Sequence, residues 1–178
     1  MGNTDSLPSS DRPGPLMEEA LRNVTMGLNE AAVTKYRKAY ELYRESGEIA
    51  CSARALRLAA EAGLQVDLEL AAKAFEEVGR LYLKTDITVS AADANFANSI
   101  YCLLSAGKTT SSKEKLDEFV GCSERFAASL EGIACASILT VFQSGNRNMT
   151  RDRIEGFKDV VAIPLWREKL LQRVVDRL

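Results

Sequence analysis

Few residues in this chain have chemistry of their own to offer. Four cysteines stand at 51, 102, 122 and 135, and the 178 residues contain no histidine. A nucleophilic thiol or hydroxyl needs a base to activate it, and a structural or catalytic zinc needs thiols and imidazoles at short fixed spacings. Without histidine there is no Ser-His-Asp or Cys-His pair and no imidazole acid–base chemistry. The cysteines form no CxxC or other metal-ligand spacing. Each lies in or beside an apolar helical pattern, where a free thiol behaves as a small hydrophobe, so reduced core cysteines are expected. The stretch GKTTSSKEK at 107–115 shares letters with a phosphate-binding loop but lacks its upstream glycine and preceding strand. It reads instead as a helix stop followed by a cap. No dinucleotide or EF-hand pattern occurs, so neither a cofactor nor a small-molecule substrate is expected, and an enzyme is not.

One modification signal stands apart. Met1-Gly2-Asn3-Thr4-Asp5-Ser6 fits the pattern for N-myristoylation, with Gly2 as the acceptor and Ser6 four residues on. Two readings stay open: a lipid on Gly2, or the plain start of a soluble chain. A single myristoyl group gives marginal, reversible membrane binding. Only Arg12 is basic in this stretch and no cysteine lies near it, so a lipidated Gly2 would need a second foothold, such as a membrane-anchored partner. No run of about 18 apolar residues occurs, and no secretory apolar region follows the N-terminus. Asn23-Val24-Thr25 and Asn148-Met149-Thr150 match the glycosylation sequon, which carries no weight without a secretory route. The expected location is cytoplasmic, at most peripheral on the cytosolic face of membranes.

The elements that must position these residues are helices. Residues 1–28 read as a flexible tail, holding three of the four prolines and a possible short helix over 16–28. From Asn29, taken as an N-cap, Val33, Tyr36, Tyr40 and Tyr43 recur at helical spacing until Ser46-Gly47. A second helix carries Ile49, Ala53, Leu56 and Ala60 up to a stop at Gly63. A third follows Asp67 as N-cap, with Leu68, Ala71, Phe75, Val78 and Tyr82 inward. The fourth carries Ala92, Phe96, Ile100 and Leu103 up to Gly107. A short fifth opens on the capping box Ser111-Ser112-Lys113-Glu114. A long sixth over 123–143 places Phe126, Leu130, Ile133, Ser137 and Val141 inward. A seventh begins near Thr150 with Ile154, Phe157 and Val161 inward, and Pro164 suits the first turn of the last helix.

The first four helices form two pairs of under forty residues, the scale of tetratricopeptide-type repeats. The expected fold is all-α: TPR-like antiparallel helix hairpins over 29–106, an α-solenoid, ending in a compact helical bundle over 107–178. Such surfaces bind proteins. The net charge of -2 gives no general attraction to nucleic acid.

From Ala31 onward the chain resembles the C-terminal half of the soluble NSF attachment proteins, the α-SNAP family. The resemblance rests on the order of AVTKYRKAYELYRESGEIACSARALRLAAE, LELAAKAFEEVGRLYLK and SAADANFANSIYCLL. Ile154, Phe157 and Trp166 ahead of WREKLLQRVVDRL extend it to the end. It covers roughly 150 residues. It implies a non-catalytic adaptor that lays a curved helical sheet on the SNARE four-helix bundle and presents its C-terminal end to the ATPase NSF. Cations on one face of the adaptor then meet the acidic side of the bundle.

Arg54 and Arg57 fall where the family carries cations, and Arg177 and Leu178 stand where it carries an acidic tail with a terminal Leu. These four are the partner-binding residues that the resemblance implies. Three departures accompany them. The family's N-terminal half, with its membrane-touching loop, has no counterpart here. Ala92 and Ala97 stand where the family tends to carry Lys. Leu130 to Ser137 contains no cation, where the family's helix is basic. Vesicle-fusion adaptor and scaffold subunit of an unrelated assembly therefore both stay open.

Overall fold

The structure, a computed structural model, describes residues 12–84 and 89–178. Among them are ten helices: α1 (Pro13–Thr25), α2 (Asn29–Glu45), α3 (Ile49–Gly63), α4 (Leu68–Leu83), α5 (Val89–Ser105), α6 (Thr109–Cys122), α7 (Glu124–Ala128), α8 (Leu130–Gln143), α9 (Arg147–Lys158) and α10 (Leu165–Asp176). The architecture is the all-α one expected. Helices α1 to α5 pack each on its predecessor as a run of hairpins, and α6 to α10 gather around the end of that run.

The centre is α5. Asp93 is its only charged residue, and a helix apolar on all sides must be enclosed. It packs against α4, α6, α8 and α10. Phe96, Ile100, Tyr101, Cys102 and Leu104 lose all contact with solvent. Phe96 stacks on Phe119 of α6 at 4.3 Å, and both rings meet the edge or face of Phe126 of α7, at 5.8 and 6.1 Å. Small residues allow the close approaches. A Cβ at Gly79 of α4 would lie 2.6 Å from the Phe96 ring.

Several boundaries differ from the sequence reading, each for a local reason. The first helix starts at Pro13, whose missing N–H costs nothing at the first helical turn. It buries Leu16 and Ala20 completely. Asn29 is the first residue of α2 rather than its cap. Asp67 does cap α4, its carboxylate accepting from the Glu69 and Leu70 amides at 2.8 and 3.1 Å. Gly107 ends α5 in the left-handed region, at φ +77°. Gly63 has no such role: it is buried against the Ala71 Cβ at 3.6 Å, a packing glycine inside the helix. The capping box at 111–114 does not form. The helix has already begun at Thr109, and Ser112, fully buried, donates from its Oγ to the Lys108 carbonyl at 2.9 Å.

The expected long sixth helix is two. Ser129 adopts extended backbone between α7 and α8, and its Oγ accepts the Gly132 amide at 3.0 Å, a new N-cap. The break resets the helical phase. Cys135, Ile138, Leu139 and Phe142 become the inward residues of α8, while Leu130 and Ile133 are 59% and 55% exposed. Pro164 is the N-cap of α10 and lies one residue before the helix.

Candidate partner-binding surface

Helix α3 turns its small residues inward. Ala53, Ala55, Ala59, Ala60 and Ala62 are buried, and Gly63 abuts α4 and the Val33 side chain of α2. At 100° per residue, Arg54, Arg57 and Glu61 then share the opposite, outer side. Arg54 is exposed and makes no ion pair among the described residues. Its charge reaches the Tyr36 and Tyr43 hydroxyls of α2; burial raises the pKa of both phenols and Arg54 partly offsets this. Arg57 is held differently. Its Nη1 donates to the Glu61 carboxylate one turn on. Burial raises the Glu61 pKa, with the Arg57 charge opposing it.

Arg177 and Leu178 lie elsewhere. Arg177 crosses Gly107, its Nη2 2.5 Å from where a Cβ would stand, and both residues are exposed. This end of α10 is tied to the hairpin run by Arg173. Its guanidinium donates to the Leu64 carbonyl at 2.6 Å and to Gln65 Oε1 at 2.8 Å, in the α3–α4 turn. The four sequence-derived residues therefore form two groups on separate elements. Gly2 lies outside the described residues.

Two positions read as lost surface cations are not surface. Ala92 and Ala97 have no solvent exposure, so a lysine there would have to be buried among the neighbours of α5. The apolar surface of α8 is as the missing cations suggest: Leu130, Ile133, Asp152, Arg153 and Val160 line an open groove of about 290 Å³ between α8 and α9.

Sequence reasoning missed the most buried charge. Arg167 is 4% exposed and grips Glu131 of α8 through both guanidinium ends, with Nη1 to Oε1 at 2.8 Å. The rings of Tyr101 and Phe157 flank it at 5.6 and 5.4 Å. Burial disfavours its charge, but Glu131 outweighs this and raises its pKa. The available signal was a lone Glu in the otherwise uncharged segment LEGIACAS. A second network was also unseen. Arg80 and Glu76 of α4 interlock with Lys115 and Glu118 of α6, above the Phe119 ring.

Among the described residues no group of three or more His, Cys, Asp or Glu could hold a metal ion, and no helix is long and apolar enough to cross a membrane. The surface is one of helix faces. The family model described as soluble NSF attachment protein, SNAP, matches residues 15–178. This chain belongs to the SNAP family. Membership supports a SNAP-like adaptor role in vesicle fusion, with protein–protein contact as its means. The match begins inside α1, so all ten helices belong to the SNAP region. A comparison with curated proteins finds no significant match.

Proposed function

We propose that this SNAP-family protein is an adaptor that binds the SNARE four-helix bundle through the outer face of α3 and meets an NSF-type ATPase with the end of α10. The observation that carries this reading is Arg54: an exposed cation without a partner in its own chain, on a helix whose other side is packed solid. An unpaired surface arginine keeps its donors for an acidic partner. Arg57 adds charge beside it, already moderated by Glu61. Arg177 and Leu178 offer a cation and an apolar side chain at the far end of the last helix. A myristoyl group on Gly2 would add a weak membrane contact, and the partner already in the membrane would supply the second foothold.

The test is capture of assembled SNARE bundles and of NSF by the purified full chain. Arg54→Glu should weaken SNARE capture by about threefold to tenfold, and more at low salt, as expected for a rim charge that steers association. Capture of neither partner, with Arg54→Glu and Arg57→Glu both silent, removes the reading. Intact mass of the native protein checks the Gly2 acyl group.

A further inference from the structure

Helix α1 carries a second apolar face that nothing in the chain covers. Leu16, Ala20 and Asn23 are buried against the body of the fold. Met17, Leu21 and Val24 fall within about 60° of one another on the adjoining side of the helix. Leu21 is 58% exposed and Val24 38%, while Met17 is half-buried. Beside this stripe stand Glu18 and Arg22, exposed and one turn apart, with no ion pair among the described residues. The other acid of the helix, Glu19, is already bound to Lys35 of α2 at 3.0 Å.

We infer that this face of α1 pairs with the same face of a second copy of the chain, antiparallel, about a two-fold axis beside Leu21. The charge order selects that occupant. A two-fold axis across antiparallel helices reverses height but keeps each flank on its own side, so an acid and a base one turn apart on one flank complement themselves. Glu18 meets Arg22 of the partner subunit twice over, Leu21 lies against its own symmetry mate, and Met17 comes level with the partner's Val24. A parallel pair would set Glu18 beside Glu18. A lipid surface fits less well, because the stripe is flanked by one acid and one base and has no cationic excess. The contact is small. A 13-residue helix is about 20 Å long, which places the interface in the weak, reversible class, with a dissociation constant on the order of tens of micromolar. This inference stands apart from the SNARE reading and concerns a different helix.

Sedimentation equilibrium of the full chain, from low micromolar to several hundred micromolar, measures it directly. The wild type should shift from monomer toward dimer, less so at high salt. Leu21→Glu, at an exposed position, should leave a monomer with unchanged helical circular dichroism. Glu18→Arg and Arg22→Glu should each weaken the dimer by about tenfold by setting like charges together, and the double exchange should restore it. A monomer throughout overturns the inference, as does a dimer that Leu21→Glu leaves intact or a double exchange that fails to rescue. Phosphatidylcholine vesicles with and without phosphatidylserine form the remaining arm. Binding of a monomer to them that depends on Leu21 would assign the face to lipid and overturn the pairing.

Discussion

Arg167 and Asp93 show how much a single buried charge can decide. Removing one partner of a buried, doubly bonded pair strands the other, whereas replacing both with apolar groups does not. Arg167→Ala should therefore cost about 3–5 kcal/mol in urea denaturation, and the double variant Arg167→Met with Glu131→Leu much less. Equal losses in the two would mean that the pair contributes through packing alone. Asp93 has a 4% exposed side chain, and one of its carboxylate oxygens has no hydrogen-bond partner. Burial raises its pKa, with Arg125 at 3.3 Å pulling the other way; Glu61 is raised for the same reason. The folded state thus holds these protons more tightly than the unfolded one, so stability falls as pH rises through and just above the ordinary carboxylate range. Asp93→Asn should flatten that slope in denaturation curves taken from acid to neutral pH. An unchanged slope would assign the dependence to other groups.

At the scale of the element, the break at Ser129 is the informative one. The stretch 123–143 contains no proline, and its alternation of apolar residues supports one long helix. The actual arrangement depends on a cap that only the neighbouring turn makes useful. Ser129 Oγ both accepts from the Gly132 amide and donates to the Phe126 carbonyl at 2.8 Å. Gly132 has no room for a side chain, since a Cβ there would collide with that same carbonyl. Ser129→Ala should cost about 1 kcal/mol, the usual worth of an N-cap. Gly132→Ala should cost about 2 kcal/mol or more, because the α7–α8 junction must open to admit the methyl group. The reverse order would mean that the junction is plastic and the cap is what holds it.

For the whole molecule, the question is what closes the C-terminal helices onto the hairpin run. Arg173 binds the α3–α4 turn, and Trp166 stacks on Phe75 of α4 at 5.7 Å and 12°. Trp166 is the only tryptophan in the chain, so its emission reports this closure without a label. Arg173→Ala should move that emission to the red and speed amide exchange in α10, while α1 to α3 keep their protection. Uniform faster exchange in every helix would instead make the protein one cooperative unit. Such closure also bears on the adaptor role, because it sets Arg177 and Leu178 at the edge near the α5–α6 turn.

Helix number and type were legible wherever the period was long and the ends were marked. The apolar stripe of the third helix, the Asp67 cap and the Gly107 stop all lie in short range of one another, and local chemistry suffices to place them. The near absence of charge in α5 likewise announced its burial. The likeness to the SNAP family was legible as well, since it rests on residue order. What the residues alone did not disclose was phase and partnership. The inward face of α8 was misread because a one-residue break rotates everything after it, and that break is set by the fit of Gly132 against Phe126. Ala92 and Ala97 looked like absent surface cations until four neighbours enclosed α5. Glu131 and Arg167, 36 positions apart, find each other only through the packing of α8 and α10. Periodicity and capping act within a few residues and so belong to the sequence. Which faces meet, and which charges are thereby paired or left free, depends on helices that are distant in the chain, and only the tertiary structure decides it.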